Sequence, residues 1–315
     1  MRAAFVSEFG SPPVFGEHPE PQAGEGEMVV NVLAAPLSPI VKSLAAGKHY
    51  SSVGNAGFVP GIDGVGTDAS GRRVYFLFPK SPFGSMAEQS LVSSDTVVPV
   101  PEGVTDERAA AVVTAGISSW VALTLRASFQ RGETVLINGA TGSAGGLAVQ
   151  IAAYLGADRI IVTGRSKAKL ALLPDSVEKI PLDEFADEKL RQVFSGKVDV
   201  VLDYLWGEPA SRIIAAATTN RGSRLGESRL RYVQLGSIAG ESISISAHAL
   251  RSSGLEILGS GIGSISIREL VAGAGQLLAA IPAAGFDTPV TTRPLSEVAN
   301  AWVDESDDHR IVLCP

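Results

Sequence analysis

The chain has 315 residues, 45% hydrophobic and 19% charged, with 34 Gly and 18 Pro, the profile of a globular protein long enough to bury two cores. Its formal net charge of −7 argues against a nucleic-acid partner, which needs clustered Lys and Arg. The single cysteine, Cys314, rules out an intrachain disulfide and a cysteine-built zinc site, and suits a cytoplasmic setting.

The N-terminus reaches Glu8 too early for a secretory h-region. The apolar stretch 271–286 is interrupted by Gly273, Gly275, Gln276, Pro282 and Gly285 and is too short to span a bilayer, so no membrane contact is expected. Over the first hundred residues, short runs at 28–34, 73–78 and 95–100, punctuated by Gly and Pro, predict a mainly β domain. From Thr134 the pattern changes. Apolar, β-branched runs at 134–138, 159–163, 198–203, 232–235 and 255–258 alternate with helical segments, which predicts an α/β domain with a parallel sheet covered on both faces. A helix is expected from Ser143 to Leu155, with Leu147, Ile151, Ala152 and Leu155 at helical spacing and Gly156 as its stop. Helices near 267–281 and 296–304 and a final strand at 310–313 complete the reading.

The turn between the first parallel strand and its helix carries Gly139, Thr141, Gly142, Ser143, Ala144 and Gly145. Glycines at 139, 142 and 145 permit a sharp exit from the strand, close backbone approach to a pyrophosphate, and packing of the helix on the sheet. The helix N-terminus adds free N–H donors and partial positive charge. A ligand-free tight turn is the alternative. No Gly-Lys-Ser/Thr follows, so the turn is not a P-loop.

The second parallel strand ends at Thr163, Gly164, Arg165 and Ser166, with Lys169 one turn on. An NAD site places an acid there for the ribose 2′-OH, whereas an NADP site needs cations and donors for the 2′-phosphate. No acid lies between Arg159 and Leu173, so NADP(H) is the expected cofactor, with Arg165 and Ser166 on the phosphate and Lys169 in support. An ordinary solvated Arg165 is the alternative. Arg221, Arg224, Arg229 and Arg231 form a basic run that reads as a solvated loop or as an attractor for NADPH.

Several further segments resemble the medium-chain dehydrogenase/reductase superfamily, and within it the zinc-free quinone oxidoreductases. Leu33-Ala-Ala-Pro-Leu-Ser-Pro39 is similar to their Ala-x-x-x-Asn-Pro, and Pro60-Gly-Ile-Asp-Gly-Val-Gly66 to their Pro-Gly-x-Glu-x-x-Gly. Phe83-Gly-Ser-Met-Ala-Glu88 is similar to a Gly-x-x-Ala-Glu strand, and Gly116-Ile-Ser-Ser-Trp-Val-Ala-Leu123 to a Gly-Leu-Thr-Ala-Tyr/Trp-x-Ala-Leu helix. The resemblance implies a GroES-like β-rich catalytic domain at 1–112, a Rossmann NADP-binding domain at 113–261, and a return segment at 262–315 that completes the catalytic domain. It also implies a homodimer joined through the last Rossmann strand.

The departures concern metal. Zinc-dependent members carry Cys where this chain has Ser38, His-Glu where it has Ile62 and Asp63, and a third ligand near Thr114 or Ala115. The four histidines, 18, 49, 248 and 309, are scattered. No zinc is expected, and a conjugated acceptor such as a quinone or enone, which delocalises the charge a hydride delivers, becomes the easier substrate. By the resemblance, Tyr50 and Ser38 are the candidate catalytic residues, and Ser118 stands near the nicotinamide unless it caps a helix. Leu205, Trp206, Gly236, Ser237, Gly259 and Ser260 end the later strands, at the edge where doubly wound sheets bind ligands. An NADPH-dependent enoyl-thioester reductase and a non-catalytic NADPH-binding protein, like some lens crystallins, remain open. A short-chain dehydrogenase does not, because no Tyr is followed by Lys four residues later.

Overall fold

The computed structural model describes residues 1–50, 52, 55–304 and 309–315. The chain forms two compact units, one of Met1–Ile117 with Ser266–Pro315 and the other of Ser118–Ile265.

In the first unit, β1 (Arg2–Phe5) and β2 (Val14–Glu17) make an antiparallel pair, and β3 (Glu27–Leu37) leads into helix α1 (Pro39–Ala45). Strands β4 (Asp63–Thr67), β5 (Arg73–Leu77), β6 (Gln89–Ser93) and β7 (Val97–Pro99) follow, and then helix α2 (Asp106–Val121). The second unit holds β8 (Thr134–Asn138), α3 (Ser143–Leu155), β9 (Arg159–Gly164), α4 (Lys167–Ala171), β10 (Glu178–Pro181) and α5 (Ala186–Ser195). It continues through β11 (Val200–Asp203), α6 (Gly207–Thr218), β12 (Leu230–Gln234), α7 (Ala247–Ser252) and β13 (Leu255–Gly259). Helix α8 (Ile267–Ala284), β14 (Val290–Pro294), α9 (Val298–Trp302) and β15 (Arg310–Cys314) return the chain to the first unit.

The larger sheet of the first unit runs in the order β14-β15-β3-β4-β5-β7, with β6 also on β3. Its eleven-residue β3 is long enough to pair with β15 near one end and β6 near the other. Val30, Val32, Leu37, Phe76, Val92, Ile311 and Leu313 pack into one core with Val298 and Ala301 of α9.

The second unit is a six-stranded sheet in the order β10-β9-β8-β11-β12-β13, every pair parallel. Residues 135–138 and 200–203 are wholly buried, as expected of strands covered on both faces. On one face Leu136, Ile161, Val201 and Tyr232 pack against Leu190, Val193 and Phe194 of α5 and Ile213, Ile214 and Ala217 of α6. Removing side chains of this kind from water stabilises a fold by roughly 1.5–3 kcal/mol each. Strand order reverses between β8 and β11, which makes that pair the switch point where doubly wound sheets bind ligands.

The structure changes several sequence expectations. Strands β10 and β14 and helix α4 are additions. Helix α8 runs on through Pro282 to Ala284, because a proline in the last turn removes only one interior N–H bond. The 296–304 helix is a short 3-10 turn followed by the five-residue α9. The helix with span-like length and apolarity is not 271–286 but Asp106–Arg126, and 67% of its most apolar window lies buried inside the protein, as in a core helix.

Candidate functional site

The glycine turn of the second unit is built by contact between backbones. A Cβ on Gly145 would lie 2.3 Å from the Gly139 carbonyl oxygen, so only glycine lets α3 settle this close to the end of β8. Gly139 has φ +93°, and a Cβ there would lie 3.0 Å from the Leu205 side chain, a left-handed conformation that strains any residue but glycine. The amides of Gly139 and Ala140 both donate to the Thr163 carbonyl (3.1 and 3.0 Å), pinning the turn to β9. Gly142 is the N-cap of α3 and no side chain caps the helix. The first helical bond runs from Gly146 to the Gly142 carbonyl, so the amides of Ser143, Ala144 and Gly145 have no acceptor within the helix.

Beside the turn, the Thr141 methyl lies 2.8 Å from where a Cβ on Gly164 would stand. Arg165 is exposed and Ser166 half-buried. Ser166 Oγ caps α4 by accepting from the Lys169 amide at 3.2 Å, which leaves its O–H free to donate elsewhere. Lys167 is tied to Asp183 (3.0 Å), and this bond holds the Asp183 carboxyl below the usual range.

Across the switch point a row of buried side chains joins four strands. Thr163, Asn138 and Asp203 stand in register on β9, β8 and β11, and all three are fully buried. Thr163 Oγ1 donates to Asn138 Oδ1 (2.6 Å), and Asn138 Nδ2 donates to Asp203 Oδ1 (2.7 Å). Tyr232 of β12 donates to Asp203 Oδ2 (2.8 Å). The Leu205 and Trp206 amides also donate to this carboxylate, at 2.9 and 3.2 Å. These bonds hold Trp206 at φ +55°, a strained backbone for a bulky residue, with its ring edge-on to Tyr232 at 6.3 Å.

The remaining loops at this edge are knit together. Tyr204 sits beneath Gly236, whose Cβ would lie 2.7 Å from the Tyr204 carbonyl oxygen, and the Ala239 amide donates to the Leu205 carbonyl (2.7 Å). Ser260 N reaches the Gln234 carbonyl (3.0 Å), and Arg126 Nε binds the Gly259 carbonyl (2.8 Å). Ser237 Oγ donates to Glu241 (3.1 Å). Ser118 and Ser119 both hydrogen-bond Tyr204, Ser119 at 2.6 Å, and burial pushes the Tyr204 phenol up to about 12. The nucleotide candidates from the sequence thus fall at the carboxyl ends of these strands and in the loops and the start of α3 that follow them, except Lys169, which lies in α4, and Ser118, which bonds Tyr204. Ser118 lies inside α2, so it is not a helix cap.

The basic run is not a free cationic patch. Arg221 pairs with Glu227, Arg229 with Glu256, and Arg231, 4% exposed on β12, with Glu133 at 2.6 Å. Asn138, Asp203, Tyr204 and Tyr232 are the residues that sequence reading passed over. Their signal was a polar residue closing an apolar strand, twice: Thr-Val-Leu-Ile-Asn138 and Val-Val-Leu-Asp203.

In the first unit, Ser38 is the N-cap of α1, yet its hydroxyl does not cap. It is 4% exposed and Oγ has no hydrogen-bond partner among the described residues. Leu37 pairs with Ile311, so Ser38 and Arg310 take the next facing position. Arg310 bears electrostatically on Asp63, which also accepts from Tyr75 and Thr114. Burial pushes the Asp63 carboxyl up to about 6 despite these three influences. Tyr50, on the loop after α1, is 73% exposed, its ring centroid 4.1 Å from that of His49. Among the described residues no three His, Cys, Asp or Glu side chains gather as a metal site.

No family model matches the chain. A probable NADPH-dependent quinone reductase of Emericella nidulans is 29% identical over the whole of both chains. A probable acrylyl-CoA reductase of Escherichia coli is 28% identical over 58% of this chain and 62% of its own length. Among solved structures, the quinone oxidoreductase of Thermus thermophilus, determined also as its NADPH complex, covers 100% of both chains with a TM-score of 0.80 and 27% identity. A doubly wound unit inserted in sequence into a β-rich one is the architecture of the medium-chain dehydrogenase/reductases. Within that superfamily the chain is similar to the quinone oxidoreductases.

A carboxyl group whose folded pKa lies above its ordinary value of 3.8 binds its proton more tightly in the folded state. Asp63 therefore favours folding at low pH, and that contribution is lost as pH rises through about 6. Asp63→Asn should remove the dependence. Between pH 4 and 7 the variant is expected to gain on wild type by on the order of 3 kcal/mol, read from urea unfolding at each pH; parallel curves for the two proteins would contradict the assignment.

Proposed function

We propose that the chain is an NADPH-dependent oxidoreductase that passes hydride to a conjugated acceptor, a quinone or enone or similar, without zinc. The observation that carries this reading is the pairing of the uncapped glycine turn with an acid-free, cationic end on β9. The amides at 143–145 suit a pyrophosphate. Arg165 and the Ser166 O–H suit a 2′-phosphate, with Lys169 in support, while Lys167 is engaged by Asp183. Gly139, Thr141, Gly142, Thr163 and Gly164 shape the backbone between them. Leu205, Trp206, Gly236, Ser237, Gly259, Ser260 and Ser118 would border the nicotinamide half. The dinucleotide, when bound, supplies the hydride.

Ser38 is assigned to orienting the acceptor or a water molecule through its uncommitted hydroxyl, and exposed Tyr50 to donating a hydrogen bond or proton and recovering it from solvent. The zinc-free part of the reading rests on the residue types at 38, 62, 63 and 114–115. A second reading, reduction of an enoyl thioester, is favoured by the similarity to the acrylyl-CoA reductase. The proposed catalytic domain of 1–112 with 262–315 and nucleotide domain of 113–261 differ by a few residues from the two compact units, and a cytoplasmic location is proposed with them.

The two free edges of the parallel sheet differ. Strand β10 is short, carries Glu178 and Lys179 and ends at Pro181, features that discourage further pairing. Strand β13, Leu-Glu-Ile-Leu-Gly, has no proline and, among the described residues, only β12 beside it in the sheet, which supports a homodimer formed through this edge.

NADPH oxidation tested over quinones, enones, enoyl-CoAs and aldehydes is expected to respond to quinones or enones with substoichiometric zinc in the same sample. Preference for enoyl-CoA would select the second reading, and activity proportional to bound zinc would remove the first. Arg165→Ala is expected to raise KM for NADPH about ten- to hundredfold, the loss of one or two charge-assisted hydrogen bonds, with KM for NADH nearly unchanged; an unaltered NADPH preference would sink the phosphate assignment. Light scattering at micromolar concentration should give the mass of two chains, and a monomer mass would reject the β13 interface.

A further inference from the structure

Asp203 is a fully buried carboxyl group at the end of one of the two strands that flank the switch point. Four groups face it, the Asn138 amide, the Leu205 and Trp206 backbone N–H groups and the Tyr232 hydroxyl, and all are placed to donate. This arrangement suits the ionised, acceptor-only form. Burial raises its pKa, opposed by these hydrogen bonds, and no neighbouring cation contributes. Among the described residues it has no ion-pair partner. A buried charge held only by neutral donors is expensive to keep unless a positive group approaches it.

From this we infer that Asp203 is a positioning residue with an electrostatic role toward the dinucleotide: its charge favours the oxidised nicotinamide, a cationic ring, over the reduced, neutral one. The inference rests on the nucleotide reading above. In the proposed transfer, the bound dinucleotide would give its C4 hydrogen with the electron pair to the acceptor, which would take its proton from a separate donor. The dinucleotide would be oxidised to a cationic ring and the acceptor reduced. Leu205 and Trp206, proposed to border that ring, hang from the Asp203 carboxylate by their amides. The charge is therefore hydrogen-bonded to the backbone of the two residues proposed to border the ring. Repulsion of the pyrophosphate is common to both redox forms and cancels in a comparison between them, whereas attraction for the ring does not cancel. In a poorly screened interior such an attraction persists over several ångströms.

The test compares the full-length wild type, Asp203→Asn and Tyr232→Phe by calorimetric titration with NADP+ and, separately, NADPH. Asp203→Asn removes the charge and is expected to raise the ratio Kd(NADP+)/Kd(NADPH) roughly three- to tenfold. Tyr232→Phe keeps the charge and removes one donor that neutralises it, so the ratio should move the other way, by a smaller factor. A purely structural role for the carboxylate would weaken both ligands together and leave the ratio where it was, and that result overturns the inference. Should Asp203→Asn fail to fold, an unchanged ratio in Tyr232→Phe overturns it equally. Failure of the wild type to bind either nucleotide would instead reject the proposed function.

Discussion

One steric contact organises the candidate site: Gly145 against the Gly139 carbonyl, where a methyl group would stand 2.3 Å from oxygen. Because only hydrogen fits there, α3 starts close against the end of β8. The amides at 143–145, which have no acceptor within the helix, belong to the turn seated there. The same bend turns Gly139 toward Leu205, so the loop after β11 is packed directly on the loop after β8. The proposed phosphate site and the shape of the neighbouring loop therefore share one backbone approach, and neither needs a charged side chain.

A second layer of control is polar. The row from Thr163 through Asn138 to Asp203, joined by Tyr232, links the carboxyl ends of β9, β8, β11 and β12. Hydrogen bonds in an apolar surrounding are strong when satisfied and costly when broken, so the row fixes the relative heights of four strand ends. It also holds Trp206 in a backbone conformation that costs about 1–3 kcal/mol for a side chain of that size. Strain of this order persists only where several bonds converge, and here the 205 and 206 amides share one carboxylate.

The sequence makes the parallel sheet legible because its strands are apolar on both faces and punctuated by Gly. Residues 134–138 and helix Ser143–Leu155 emerge with the predicted bounds. Strand β10, Glu-Lys-Ile-Pro, was not legible, since an edge strand half open to water carries charge and tolerates proline. Arg231 misled for a different reason. Its partners, Ala127 and Glu133, lie about a hundred residues earlier, and local composition holds no trace of them. The glycine turn was legible because glycine spacing is a local steric requirement. The Asp203 row was not, because its members are brought together by strand order rather than by proximity in the chain.

The position of β15 bears on how the chain reaches its folded state during synthesis. Residues 310–314 do not border their sheet; they lie between β14 and β3. A ribosome that has released residues 118–265 has delivered one whole contiguous unit, able to close its own parallel sheet. The first unit at that moment has no partner for residues 35–37 of β3, and that stretch stays open until residues 310–314 emerge. Translation order thus imposes a period in which residues 35–37 of β3 wait for β15, and that stretch is the part of β3 most in need of protection from wrong partners.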